Sequence, residues 1–315
     1  MRLTILASCC ALAALAAPAM GTASAQEQRP TFRTTTGRVV VSTVVRTPQG
    51  RPVTDLDVDD FTVMDSGEER KIVEFSADPS AVRLAMLVDF SGSMDVAAKR
   101  AAAQESAWHL LSWLTVGYDE VSLYAFDRQL QEVAPPSKAP GDVLQHLERL
   151  EPYGQTSLFD AIAQTGRIVA GADGSGRRVV VALTDGADNA SQLTPEQVSG
   201  IASSVDVPVY IIVIVSPLER AGGSTVDDAK YEAMRQGPLR NLARWTGGEL
   251  FVAYGPAQAS RAARQIVTEL RHQYLIAIEP GTRPGWHPLE VRTRNEELVV
   301  RTRSGYVVGD RSGVQ

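Results

Sequence analysis

Three short segments hold oxygen-bearing side chains at spacings that suit a hard divalent cation. In Asp89-Phe90-Ser91-Gly92-Ser93 a carboxylate and two hydroxyls stand at i, i+2 and i+4. In Gly154-Gln155-Thr156-Ser157-Leu158-Phe159-Asp160 the hydroxyl of Thr156 comes just before a helical pattern. The third segment is Thr184-Asp185-Gly186. Asp89, Ser91, Ser93, Thr156 and Asp185 together offer two carboxylates and three hydroxyls, with neither sulfur nor imidazole among them. Soft ions prefer thiolate, whereas this set suits Mg2+. Two carboxylates neutralise a divalent ion, hydroxyls and waters fill further positions, and an octahedral shell built this way keeps room for an outside oxygen, preferably a carboxylate. Taken singly, each segment has an ordinary structural role open to it. Ser93 or Asp95 suits a helix N-cap, as do Thr156 and Ser157, and Asp185-Gly186 is a common turn dipeptide. Their joint occurrence, in order and at element ends, favours a metal site.

The elements that must position these groups follow from the hydrophobic pattern. Leu84 to Val88 is an uninterrupted apolar run ending at Asp89, which reads as a strand buried on both faces. A helical pattern begins near Asp95, with Ala103, Ala107, Leu110, Leu111 and Leu114 on one face. Further strands are expected at Glu120 to Phe126, Arg178 to Leu183, Val209 to Val215 and Leu250 to Val252, with a hairpin partner at Arg128 to Val133 closed by Pro135-Pro136. Helices fall between them: Val143 to Leu150, Leu158 to Val169, one from about Pro195, Leu239 to Trp245 and Ala257 to Leu270. Polar Ser216 to Gln236 reads as an insertion on the ligand-facing rim. Alternating strands and helices predict a doubly wound, mostly parallel α/β sheet, which places ligands beyond the carboxyl ends of its strands. Both flanks are β-rich: Arg38 to Val45, Phe61 to Met64 and Lys71 to Phe75 before, and Tyr274 to Ile278, Leu289 to Arg292 and Leu298 to Arg301 after. Neither flank has enough strands to cover its own faces, so the expectation is one small β-sandwich made by both, with the α/β unit inserted into it.

Asp-x-Ser-x-Ser after a central strand, Gly-x-Thr-x-x-x-Asp, and Thr-Asp-Gly after the next central strand resemble the von Willebrand factor type A (VWA) domain and its metal-ion-dependent adhesion site (MIDAS). The resemblance spans about Val82 to Gln273 and implies that Ser91 and Ser93 bind Mg2+ directly, with Mn2+ or Ca2+ as alternatives. It implies that Asp89 and Asp185 act largely through water, and that Thr156 coordinates directly or through water according to the ligated state. The flanking Val53-Thr54-Asp55-Leu56, Asp59-Asp60-Phe61-Thr62-Val63, Gln273-Tyr274-Leu275 and Val300 to Tyr306 are similar to secreted bacterial proteins with a VWFA-related domain. The expected organisation is a signal peptide at 1–25, a mobile leader at 26–36, a sandwich from 37–78 plus 273–309, and a VWA domain at 82–272.

The signal peptide is read from Met1-Arg2, the apolar Leu3 to Ala17 and the small-residue Ala23-Ser24-Ala25. Leu6-Ala7-Ser8-Cys9 resembles a lipoprotein processing site, but it lies very early with its apolar stretch after it, so cleavage after Ala25 is the better reading. Both cysteines, Cys9 and Cys10, fall inside this segment. The exported chain, periplasmic or extracellular, would then have neither disulfide nor thiolate. The whole chain carries a formal charge of −6 and no long basic block, which argues against nucleic acid and anionic membranes as partners. No later apolar run approaches the length of a spanning helix.

The expected function is therefore capture of a partner protein's Asp or Glu carboxylate through the metal. A hydrolase or phosphoryl-transfer enzyme is the alternative, with thin support. Ser91 stands where a phosphoaspartate site would place a second carboxylate, there is no Gly-rich loop with Lys-Ser/Thr, and no histidine lies near the three segments. A structural envelope protein with a purely stabilising metal is the third reading. His109, His146, His272 and His287 are scattered without a helical pair and read as surface or packing residues. Phe90 and Phe159 are expected beneath the loops, and Trp108 and Trp113 in the helix packing. Arg292, Arg294, Arg301 and Arg303 are expected on a solvated strand face, with pairing to Asp57, Asp59 and Asp60 as the weaker alternative.

Overall fold

The computed structural model describes residues 38–151, 154–172, 176–204, 206–215, 232 and 234–308. The expected signal peptide, the leader and most of the Ser216 to Gln236 insertion lie outside the described residues.

The central sheet contains β5 (Val82–Asp89), β6 (Glu120–Phe126), β7 (Leu130–Ser137), β8 (Arg177–Thr184), β9 (Val209–Ile214) and β10 (Leu250–Ala253), in the order β10-β9-β8-β5-β6-β7. All neighbours pair in parallel except β6 with β7. After β5 the chain builds outward to β6 and β7, then returns to the other side of β5 for β8. That reversal opens a crevice at the carboxyl ends of β5 and β8. Side chains of β5 alternate between two cores, as a strand covered on both faces must. Leu84, Met86 and Val88 pack with α1 (Lys99–Ser112), α2 (Pro140–Glu148) and α6 (Pro256–Arg271), while Ala85 and Leu87 pack with α3 (Leu158–Gly171), α4 (Pro195–Ser204) and α5 (Pro238–Trp245).

The flanks supply β1 (Val39–Arg46), β2 (Phe61–Asp65), β3 (Glu68–Arg70) and β4 (Ile72–Ser76), and then β11 (Tyr274–Ile278), β12 (Gly285–Thr293), β13 (Val299–Arg301) and β14 (Gly305–Val308). They form two antiparallel sheets, β13-β1-β11-β4 and β14-β12-β2-β3, each drawing strands from both ends of the chain. Val41, Val63, Ile276 and Val291 meet between them, and Phe61, Phe75 and Tyr274 form an aromatic cluster with ring centroids 5.0–5.8 Å apart. The α/β layer is thus inserted between β4 and β11, which are themselves paired, Ser76 opposite Leu275.

Several expectations are corrected. The helix after β5 begins at Lys99, not near Asp95, because Gly92–Ala98 forms a 3-10 turn that ends with Ala98 in the left-handed region (φ 62°). β7 runs through Pro135 and Pro136 instead of stopping there; it is an edge strand, and its pairing with β6 shifts register between Val121 and Leu123, where neither proline is paired. Trp108 on α1 and Trp113 just after it are 54% and 42% exposed, and the Arg264 guanidinium lies over the Trp113 ring. Arg292 and Arg294 do lie at the surface, paired with Glu290 and Asp60. Arg301 and Arg303 do not. Arg301 joins Arg46 in ion pairs to Glu249 and to the buried Glu269 of α6, and Tyr210 donates to the same Glu269 carboxylate. Arg303 is buried and donates to the Val40 carbonyl. This joint seats the last helix on the sandwich. His287, also buried, is bonded to Asp65, whose other oxygen accepts from Tyr306.

Candidate metal centre

The apolar run of β5 ends inside the crevice, so Asp89 is delivered there almost fully buried, 1% exposed. Its carboxylate accepts from the Ser91 backbone N–H at 2.9 Å and from the Thr184 hydroxyl at 2.6 Å. Burial dominates its acidity. Together with the nearby negative charge of Asp185 it pushes the carboxyl up to about 6, against the opposing bonds from Thr184 and Ser91.

The Ser91 and Ser93 hydroxyl oxygens lie 3.0 Å apart. The Ser91 hydroxyl acts to lower the Asp89 carboxyl, and the Ser93 hydroxyl the Asp185 carboxyl. Neither hydroxyl serves as a helix cap. Ser91 occupies the N-cap position of the 3-10 turn without a side-chain bond, and α1 is preceded by Ala98. Ser157 likewise precedes α3 without a capping bond.

Asp185 follows β8 and faces Ser93 across the crevice. One oxygen accepts from the Ala187 N–H at 3.1 Å, which is the expected turn role. The other accepts from the Lys99 ammonium at 2.9 Å, with both side chains buried. Burial alone would raise the Asp185 carboxyl, but Lys99, the Ala187 N–H and Ser93 together hold it below the ordinary carboxylate range.

Thr156 is 1% exposed and is positioned through its backbone. Its N–H donates to the Asn189 side chain at 2.9 Å, and its carbonyl accepts from the N–H groups of Asn189 and Ala190. Asp188 accepts from the Phe159 N–H, and Asp160 from the N–H groups of Gln192 and Leu193, so the loops after β8 and before α3 are cross-tied. Gly154 completes the frame. Its φ of +86° suits glycine, and its carbonyl accepts from the Gly92 N–H at 3.1 Å, drawing the Thr156 loop against the serine loop. Phe90 is buried and Phe159 packs against the second core beneath the loops.

Asp89, Ser91, Ser93 and Asp185 are thus brought into one contiguous cluster, with Thr156 on the adjoining loop tied to it through backbone. Lys99, Asp188 and Asn189 join them without having been singled out from sequence, as does Thr184, which was read only as a motif neighbour of Asp185. Thr184, Asp188 and Asn189 flank Asp185 in one polar run, which is a usable signal; Lys99 carries none. Among the described residues no group of three or more His, Cys, Asp or Glu side chains is arranged to hold a metal. A cation here would take most of its protein ligands from hydroxyls.

Residues 84–187 match the family model of the von Willebrand factor type A domain, a span that contains all five candidate positions. A search of curated proteins gave no significant match. Among solved structures, an aerotolerance-related membrane protein from Bacteroides fragilis is 18% identical, over 60% of this chain and 98% of its own, with a TM-score of 0.47. A von Willebrand factor type A protein from Catenulispora acidiphila is 15% identical over 90% and 76%, with a TM-score of 0.47. Manganese-loaded TRAP protein from Plasmodium vivax is 15% identical over 78% and 98%, with a TM-score of 0.44. Domains of the matching family often mediate protein–protein interaction and adhesion. Among the described residues no helix is long and apolar enough to cross a membrane. From Leu84 to Ala187, then, this chain matches the von Willebrand factor type A domain.

Proposed function

We propose that this protein is an exported binding module, periplasmic or extracellular, that captures an Asp or Glu of a partner protein through a Mg2+ ion held by Asp89, Ser91, Ser93, Thr156 and Asp185. When bound, the ion supplies an open coordination position for the partner's carboxylate oxygen. The protein's own side chains do the rest. Asp89 and Asp185 balance the ion's charge, the three hydroxyls present neutral lone pairs, and Asn189, Asp188 and Gly154 hold the loops at a fixed separation. The sandwich serves as a base beneath the inserted α/β layer.

The observation that carries this reading is the convergence of these oxygens. Two carboxylates and two serine hydroxyls converge, all oxygen, with the serine oxygens 3.0 Å apart and with Asp89 pushed up to about 6. An all-oxygen set with two carboxylates suits a hard cation. Calorimetric titration of the metal-free protein with MgCl2 tests it. Saturable uptake that disappears in Asp89→Ala and Asp185→Ala is expected, and absence of uptake by the wild-type protein sinks the proposal. Affinity capture from the native envelope, run with Mg2+ and with EDTA, then tests the partner.

Lys99 favours a second reading. Its ammonium already neutralises Asp185, which suits a site where the lysine is the resident cation and the cluster is purely structural. Under that reading Lys99→Met destabilises the protein and added Mg2+ restores nothing.

A further inference from the structure

A cavity of about 590 Å³ lies away from the MIDAS-like cluster, walled by Leu250–Val252 of β10 and Val299–Arg301 of β13. Each is a terminal strand of its sheet. β10 pairs only with β9, and β13 only with β1, among the described residues. The Ile211 and Val215 N–H groups donate to the carbonyls of Glu249 and Ala253, so these residues turn their backbone toward β9. By alternation, Leu250 and Val252 turn their N–H and C=O groups to the open side. Exposed edges of this kind are templates for another strand.

The charge of the cavity is opposite to that of the chain. Five arginines and two glutamates line it, in a protein of formal charge −6. Arg46 and Arg301 are engaged by Glu249 and Glu269 at its inner end. Arg235, Arg240 and Arg244 stand exposed, and none of the three meets a carboxylate among the described residues. Arg240 and Arg244 are one helical turn apart on α5, so they project from one face. Leu250, Val252 and Val300 add half-buried apolar surface beside them. A small anion would use the arginines and leave the strand edges and this apolar surface unused. An extended chain uses all three features, because its side chains alternate between two faces.

We propose that this groove is a second binding site, for an extended acidic segment of a partner protein that adds as a strand to the β10 edge. Its acidic residues meet Arg235, Arg240 and Arg244, and its backbone pairs with Leu250 and Val252.

The test is fluorescence anisotropy of a fluorescein-labelled peptide of alternating Glu and Val with the full chain in EDTA, so that a divalent ion at the Asp89 cluster contributes nothing. Saturable binding is expected, weakened about tenfold or more by Arg240→Glu combined with Arg244→Glu, two exposed positions whose exchange leaves the core intact. The same peptide N-methylated at alternate residues keeps its charge and loses its donors, and it is expected not to bind. A Lys-Val peptide is expected not to bind either. The proposal is overturned by absence of binding, by equal binding of the N-methylated peptide, which would mean charge attraction alone, or by equal binding to the double variant. It is also overturned if sedimentation shows the wild-type chain to be a dimer that the double variant dissociates, since a second copy would then fill the groove.

Discussion

Replacing Asp89 by asparagine should make the metal-free protein more stable at neutral pH while removing its capacity for a divalent ion. Burial and the charge of Asp185 push the Asp89 carboxyl from 3.8 up to about 6. Between those two values the folded protein keeps a proton that the unfolded chain has lost, so stability falls as pH rises through that window. The full shift corresponds to about 3 kcal/mol at pH 7. Asparagine removes the charge and can still accept from the Ser91 N–H, but it presents an amide to the Thr184 hydroxyl, which offsets part of the gain. A net stabilisation of about 1–2 kcal/mol is expected, or roughly 2–5 °C in Tm for a chain of this size. The assay is urea denaturation of wild type and Asp89→Asn in EDTA at pH 4 and pH 7.5. The variant should lead at pH 7.5 and lose that lead at pH 4, and comparing the two proteins cancels the titrating groups that do not interact with Asp89. If Asp89→Asn is the less stable protein by the same margin at both pH values, the reasoning about the buried carboxylate is wrong.

Lys99→Met leaves Asp185 buried without its ammonium and should destabilise the metal-free protein by about 3–5 kcal/mol. If the cluster takes Mg2+, the same exchange should tighten its binding by about tenfold or more in calorimetry, because a neighbouring positive charge is gone. Glu269→Gln breaks the pairs to Arg46 and Arg301 at the base of α6 and should cost about 3–5 kcal/mol in denaturant melts, largely independent of added metal. Gly154→Ala places a side chain at φ +86° and 3.0 Å from the Asp127 carboxylate. It should cost roughly 1–2 kcal/mol and weaken Mg2+ uptake by shifting the carbonyl that holds Gly92.

The architecture was legible in sequence because the strands buried on both faces leave an unbroken apolar signature. Leu84 to Val88 and Val179 to Leu183 sit centrally where that pattern puts them. Pairing of the two flanks was legible from a shortage: neither had enough strands to cover its faces. Ser91 and Ser93 were singled out by their spacing after Asp89 at the end of a buried strand. Lys99 was not legible, because its inward direction depends on the 3-10 turn that delays α1 and ends in a left-handed Ala98. Arg301 and Arg303 were misassigned for a related reason. Alternation shows that two residues share a face but not which face is up, and here the carboxylates of Glu249 and Glu269 decide it from another layer. β14 was missed because Gly305 to Val308 is too short to show a period, although Tyr306 lies at the centre of a buried polar knot.

The split sandwich also dictates the order in which this molecule can be finished during synthesis. β1 pairs with β11 and β13, and β2 with β12, so apart from the short hairpin of β2 with β3 the amino-terminal strands have no partners until nearly all of the chain has been made. The α/β layer contains its own sheet neighbours and can close first, while Val41, Phe61 and Val63 wait uncovered. A chain terminated before Tyr274 would keep those apolar faces open to one another. Truncation should therefore produce aggregates where a self-contained amino-terminal unit would have produced a fragment.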